Sequence, residues 1–208
     1  MSLAFEPSVL QDLGLNAALQ AKNITTDTNP TGCQYLLRPL MSTDYDYLHL
    51  LKQLTVVGDI SKEEFECRFK EFTSRPNTYF IVVLEDLPLR KLIGCATLLV
   101  ELKMIHNRSK RGHIEDVVID EAYRSKGLGK LLVSVLIEVG RSQGCYKISL
   151  DCNSDKVAFY ERNGFKQETI SISAEIRMYN SLMNWKFVKS GGERYASSPP
   201  IIIAYPYN

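Results

Sequence analysis

No two cysteines of this chain stand in C-x-x-C spacing, and His49, His106 and His113 are isolated from one another and from any cysteine pair, so no metal site is expected. The five cysteines, Cys33, Cys67, Cys95, Cys145 and Cys152, are odd in number and scattered. They read as reduced thiols of a cytoplasmic protein. Long apolar runs are missing too: Ala96–Val100 and Ile201–Ala204 fall far short of the roughly 18 residues a membrane-spanning helix needs. Met1–Leu19 contains Glu6 and Asp12 and lacks both a basic start and an unbroken apolar stretch, so it does not read as a signal peptide. An excess of one charge is absent, because 25 Lys and Arg balance 24 Asp and Glu to leave a net charge of +1. That balance argues against a nucleic-acid partner. Neither G-x-x-x-x-G-K-[ST] nor G-x-G-x-x-G occurs. There is no internal repeat.

What is present suits one domain with appendages in 208 residues that are 45% hydrophobic and 24% charged. Residues 1–33 are weakly patterned, and Thr25–Gly32 is a run of turn formers, which predicts an N-terminal extension and linker. The domain is expected over residues 34–179, followed by a C-terminal appendage over 180–208 that is interrupted by Gly, Ser and Pro. Tyr35–Leu40 reads as a strand, and Thr43 or Asp44 as the cap of a helix carrying Leu48, Leu51 and Leu54. Ser61-Lys-Glu-Glu64 has the form of a capping box opening a second helix to about Phe72. Thr78–Glu85 and Leu92–Leu102 suggest an antiparallel hairpin, and Gly112–Asp120 another strand. Its apolar set, Ile114, Val117 and Ile119, breaks alternation, which predicts a bulge near Asp116 and Val117. Leu128, Leu131, Leu132, Val135, Leu136 and Val139 recur at helical spacing. A strand at Tyr146–Leu150, a helix at Ser154–Arg162, a strand from Phe165 and a last strand at Ile170–Met178 complete the expectation.

Arg124-Ser-Lys-Gly127-Leu-Gly129 stands between a strand and that amphipathic helix. Glycines there let a backbone approach a diphosphate, and first-turn amides point at it. An ordinary strand-to-helix turn has the same composition. Lys103, Arg108, Lys110 and Arg111 crowd into nine residues, suiting either a small anion or a solvated loop.

R-x-x-G-x-G after a strand ending in Val117-Val-Ile-Asp120, followed by Phe159-Tyr-Glu-Arg-Asn-Gly-Phe165, resembles the coenzyme A loop and the F-Y-x-x-x-G-F segment of the GNAT superfamily. The resemblance spans about residues 35 to 178. It implies an α/β (α+β) fold, with a mostly antiparallel mixed sheet flanked by helices and acetyl-CoA as cosubstrate. A narrower resemblance rests on Leu54–Gly58, Lys103–His106, Gly112–Val117, Gly144–Lys147 and Leu150–Cys152, which look like segments of the eukaryotic glucosamine-6-phosphate N-acetyltransferases. It implies that Thr55, Lys103, Met104, Ile105, His106, Glu115, Asp116 and Arg177 help bind glucosamine 6-phosphate. By the same resemblance Val117, Val118, Tyr123, Arg124, Ser125, Lys126, Gly127, Leu128, Gly129 and Lys130 line the acetyl-CoA site, and Asp151 and Tyr160 stand beside the thioester. A homodimer whose subunits both contribute to each sugar site is implied as well.

Acetyl transfer from a thioester to an amine needs a neutral amine and hydrogen-bond donors for the charge that develops. Tyr160 can donate to the departing sulfur, although a core tyrosine beside Phe159 has the same neighbours. Asp151 can hold the amine or cap the next helix. Glu115 and Asp116 are adjacent on a strand and should face opposite ways unless a bulge intervenes. Cys145 and Cys152 are placed in apolar strand contexts, so direct attack without a cysteine nucleophile is expected. A GNAT enzyme for another amine and a non-catalytic acetyl-CoA-binding module share the loop. The first would need no sugar-phosphate residues and the second no Tyr160 or Asp151.

Overall fold

Strand β3 (Tyr79–Asp86) and strand β4 (Lys91–Leu102) carry apolar side chains on both faces, and both faces are buried along most of their length. Such two-sided strands belong at the centre of a covered sheet. The computed structural model, which describes residues 2–11, 13–27 and 32–168, places them there. The sheet runs β1 (Ile24–Thr25), β2 (Tyr35–Pro39), β3, β4, β5 (Lys110–Ile119) and β6 (Cys145–Leu150) in chain order. The β1–β2 and β5–β6 pairs are parallel and the other three antiparallel.

Helices α1 (Asn16–Gln20), α2 (Tyr47–Leu51), α3 (Lys62–Thr73), α4 (Ile105–Arg108), α5 (Leu128–Ser142) and α6 (Val157–Glu161), with short 3-10 turns at Pro7–Leu10, Glu121–Tyr123 and Ser154–Lys156, complete the described elements. The apolar stripe of α5 packs on one face of the sheet with Leu98, Val100 and Ile114. On the opposite face α2 and α3 bring Leu48, Leu50, Phe65 and Phe69 against Ile81, Val83, Cys95 and Val118. Each such fully buried side chain contributes roughly 1.5–3 kcal/mol. Gly140 lets α5 lie close to β6, since a Cβ there would stand 2.5 Å from Ile148 Cδ1. The Ser61–Glu64 capping box forms, with Ser61 Oγ accepting from Glu64 N at 3.2 Å and Glu64 Oε2 from Ser61 N at 2.8 Å.

Several expectations are corrected. The described part of residues 1–33 is no bare linker. Leu10, Leu13, Leu19 and Ile24 are buried in the α5-side core, Ile24–Thr25 pairs with Tyr35–Leu36, and the Ala4 amide donates to Leu40 O at 2.8 Å. These described residues and those up to Gln167 form one compact unit. Neither Thr43 nor Asp44 caps a helix. Asp44 takes both terminal nitrogens of Arg38, at 2.6 and 3.1 Å, and the Met41 amide at 2.7 Å, so α2 begins only at Tyr47 and leaves Leu54 46% exposed. Residues 165–168 form no strand. Cys152 lies beyond β6 and is exposed, whereas Cys145 is in the strand and partial burial raises its thiol pKa. The strand expected at Ile170–Met178, the site residue Arg177 and the appendage 180–208 lie outside the described residues.

Candidate active site

The expected bulge forms and sets the site. Thr97 pairs with Glu115 and Cys95 with Val118, so Asp116 and Val117 together oppose Ala96 alone. Asp116 takes a left-handed φ of 54°, which a short polar side chain tolerates. The extra residue shifts the facing of β5. Before it, Ile114 points into the α5-side core; after it, Val117 and Ile119 do, while Val118 is buried towards α2. Strand β6 accompanies β5 only from Lys110 to Ile114. From Glu115 to Ile119, β5 is paired with β4 alone among the described residues, which leaves an open edge beside the residue following β6, Asp151.

The loop lies beyond the end of β5. Ser125 and Gly127 have left-handed φ values of 64° and 72°, and Gly127 is the N-cap of α5 with no side-chain capping bond. The amides of Leu128, Gly129 and Lys130 have no hydrogen-bond partner among the described residues. Leu128 can meet a ligand through its amide but not its side chain, which is buried in the core, as is that of Val118. Lys22 reaches across from the N-terminal segment, and its Nζ donates to Lys126 O at 2.7 Å. Arg124 Nε donates to Ile119 O at 3.0 Å. Tyr123 donates to Asp86 Oδ2 at 2.9 Å, and partial burial together with that carboxylate pushes its pKa up to about 12; its ring lies 4.8 Å from Lys126 Nζ. Free amides, a helix N-terminus and nearby cations form a donor-only set that fits a diphosphate. Asp120 anchors the loop by accepting from the Ala122 amide at 3.0 Å, Gln53 at 3.3 Å and Lys91 at 2.8 Å. Burial alone would raise its carboxyl pKa, but these partners outweigh that and hold it below the usual range.

A polar stripe runs down the open face of β5 and β6. Arg111, His113 and Glu115 alternate with Gly112 and Ile114, and Ser149 and Asp151 alternate with the core-facing Ile148 and Leu150. His113 Nε2 lies 3.1 Å from Glu115 Oε1 and 3.9 Å from Asp151 Oδ2, so the two carboxylates meet at one imidazole. Asp116 is not part of this pair. It sits on the bulge near Tyr47 and Cys95, whose Sγ donates to Asp116 O at 3.5 Å, and partial desolvation raises its carboxyl pKa. Tyr160, on α6, packs edge-on against Phe159 and Phe165 at centroid distances of 4.9 and 6.0 Å. Its hydroxyl has no hydrogen-bond partner among the described residues, and burial, with nearby Cys152, raises its pKa, so it remains a donor at neutral pH.

The remaining candidates are not brought together. Lys103–His106 forms the β4–β5 connection, where His106, Asn107 and Arg108 all have left-handed φ values of 48°, 56° and 60°. His106 stacks on Tyr146 at 4.3 Å, and Lys103 pairs with Glu101 at 2.5 Å. This is the Lys110 end of β5, roughly 17 Å of strand from Glu115 at about 3.3 Å per residue. Met104 and Ile105 are 86% and 60% exposed. Thr55 lies on the exposed loop after α2, along an open groove of about 550 Å³ that Gln53, Val56 and Asp59 also line. Reading the sequence singled out neither His113 nor Ser149 nor Lys22. Period-two alternation over residues 111–115 and 147–151 was the available signal for the first two, whereas Lys22 stands 104 residues from its partner and had none.

A mixed sheet with helices on both faces, a bulged strand opening from its parallel neighbour and an uncapped glycine loop define an acetyltransferase. Residues 45–165 match the family described as acetyltransferase (GNAT) family, and the chain belongs to it. That family uses acetyl-CoA as its cosubstrate. The chain is similar to the probable glucosamine 6-phosphate N-acetyltransferase of Drosophila melanogaster, with 39% identity over 77% of this chain and 74% of that protein. It is 42% identical to glucosamine 6-phosphate N-acetyltransferase 1 of Dictyostelium discoideum, over 65% of this chain and 87% of that one. The crystal structure of glucosamine-6-phosphate N-acetyltransferase from Arabidopsis thaliana superposes with a TM-score of 0.65 at 37% identity, covering 71% of this chain and 99% of that one.

Proposed function

We propose that the chain acetylates the amine of glucosamine 6-phosphate from acetyl-CoA, giving N-acetylglucosamine 6-phosphate and coenzyme A by direct attack in a ternary complex. The carrying observation is the meeting of Glu115 and Asp151 at His113, where β5 leaves β6 and within the same compact unit as the glycine loop. The names of the similar proteins support the choice of sugar. In this reading the free amides of Leu128, Gly129 and Lys130, with Tyr123, Arg124, Ser125, Lys126 and Gly127, hold the diphosphate. The open edge at Val117 and Val118 receives the arm that follows it. The bound thioester supplies an activated acetyl group. Glu115 and Asp151 hold the amine and draw off its proton, and Tyr160 donates its hydroxyl hydrogen bond to the departing sulfur.

The sugar site takes Thr55 and Asp116 from one chain and Lys103, Met104, Ile105 and His106 from a second copy. Their distance from Glu115 within one chain supports this, as do the exposed Leu102, Met104, Ile105 and Tyr146. The protein then acts as a homodimer, and we place it in the cytoplasm. Among the described residues no helix is long and apolar enough to cross a membrane.

The test is release of coenzyme A with glucosamine 6-phosphate, glucosamine or a peptide amine as acceptor. Two charge-assisted phosphate contacts, at about 1.5–3 kcal/mol each, should separate the two sugars by roughly 100-fold or more in kcat/KM. Equal rates on both sugars, or consumption of the peptide alone, would remove the sugar-phosphate reading and leave the family.

A further inference from the structure

Ser149 Oγ is the junction of the polar stripe. Arg111 reaches it with Nε at 3.2 Å and a terminal nitrogen at 2.8 Å, and His113 Nδ1 lies 2.9 Å from it. A hydroxyl has two lone pairs and one hydrogen, and a guanidinium can only donate. The two Arg111 bonds therefore occupy both lone pairs. Ser149 must donate its own hydrogen, and Nδ1 at 2.9 Å is the better acceptor than Gly112 O at 3.5 Å. That leaves Nδ1 without a proton, so Nε2 carries it and faces Glu115 Oε1 at 3.1 Å, with Asp151 Oδ2 at 3.9 Å.

We infer that His113 is a positioning residue for acetyl transfer: Arg111 and Ser149 lock its Nε2-protonated tautomer, which fixes the Glu115 carboxylate so that its free oxygen faces the acceptor amine beside Asp151. The inference rests on Glu115 facing the acceptor, as proposed above. Glu115 needs such a hold because its side chain is 53% exposed and nothing else among the described residues bonds its carboxylate. The 20% exposed imidazole converts a mobile surface carboxylate into a directed acceptor.

The experiment has two arms. Imidazole ¹⁵N correlation spectra of the full chain without substrates report which ring nitrogen of His113 is protonated. At neutral pH the Nε2–H tautomer is expected, and Ser149→Ala should raise the Nδ1–H population. In the kinetic arm His113→Gln places an amide nitrogen near the position of Nε2 and should retain most of kcat. His113→Asn, which mimics only Nδ1, and His113→Ala should lose about tenfold to a hundredfold in kcat, with little change in the KM for acetyl-CoA. An Nδ1–H tautomer in the native protein, ring signals indifferent to Ser149→Ala, or equal kcat for the Gln and Asn variants would overturn the inference. The spectra need no acceptor. If the native protein turned over no sugar phosphate while its ring showed the expected tautomer, the substrate assignment would fail and the relay would stand.

Discussion

Replacing Gly127 by alanine strikes the cofactor loop where its left-handed backbone and the long-range contact of Lys22 coincide. The residue sits at φ 72°, a conformation that costs a residue with a Cβ about 1–2 kcal/mol. Its new Cβ would stand 2.9 Å from Lys22 Nζ. The ammonium is the end of a flexible side chain and would move aside, giving up its bond to Lys126 O. A charge-assisted hydrogen bond of this kind, discounted for exposure, contributes about 0.5–1 kcal/mol. The total of roughly 1.5–3 kcal/mol corresponds to a fall in Tm of about 3–12 °C for a chain of this length. If the loop instead relaxes to a right-handed conformation, the same free energy appears as a loss of coenzyme A affinity of about 10- to 100-fold.

Gly129→Ala is the control. Its Cβ would meet only Ile119 Cγ1 at 3.6 Å and Phe159 Cζ at 3.7 Å, which are ordinary contacts, and its backbone is helical. It should leave Tm and affinity unchanged or gain up to about 1 kcal/mol from helix propensity. In a Lys22→Met background Gly127→Ala should cost only the backbone share. Calorimetry of coenzyme A binding and thermal unfolding read both quantities. A Gly127→Ala protein with native Tm and native affinity, or a Gly129→Ala protein equally damaged, would refute the reasoning.

Tyr160→Phe keeps the packing on Phe159 and Phe165 but removes the donor, so kcat should fall about tenfold or more with both KM values nearly unchanged; native turnover would reduce Tyr160 to a packing residue. Mixing inactive His106→Ala and Asp151→Ala proteins under subunit exchange should restore about 25% of native activity if the two residues serve one site from different subunits, and nothing if each site is built within one chain. Asp120, whose side chain is 7% exposed, has a folded-state carboxyl pKa below its unfolded value, so it stabilises the fold above the unfolded value of about 3.9, and this stabilisation is lost as pH falls through the folded value. Asp120→Asn should therefore lose less Tm than the native chain between neutral pH and pH values near 3. A parallel decline in both proteins would count against the anchor.

Local order was readable wherever one period runs long enough to outweigh its alternatives. Helix α5 holds a helical apolar stripe for 15 residues, and the Ser61–Glu64 box marks the start of α3 with two reciprocal bonds. Strand β1 has two residues, too few for any period, and its reason for existing is the parallel partner at Tyr35–Leu36. Asp44 has the chemistry of a helix cap, but a bidentate ion pair with Arg38 at 2.6 Å takes the carboxylate elsewhere. In the site, the Arg124–Gly129 pattern predicts a strand-to-helix loop because its meaning is local, and the loop that forms there leaves the first amides of α5 without partners among the described residues. The joining of Lys22 to that loop is tertiary and leaves no mark in the sequence near either partner.

The bulge at Asp116 and Val117 explains why the carboxylates and the open edge occupy the same place. Along β5 the odd-numbered Arg111, His113 and Glu115 are polar and the even-numbered Gly112 and Ile114 pack inward, yet the odd-numbered Val117 and Ile119 are the ones that join the α5-side core. A regular strand could not satisfy both halves. Either Val117 and Ile119 would turn to the polar face, or the stripe would be driven into the core with its charges unpaired. One extra residue reconciles them, so the stripe has to end at Glu115. The same residue adds local twist and bends β5, and the pairing with β6 ends at Ile114. The last polar side chain before the bulge therefore stands beside the first backbone groups that β6 leaves unpaired, which is where an acceptor amine and an extended cosubstrate arm would have to meet.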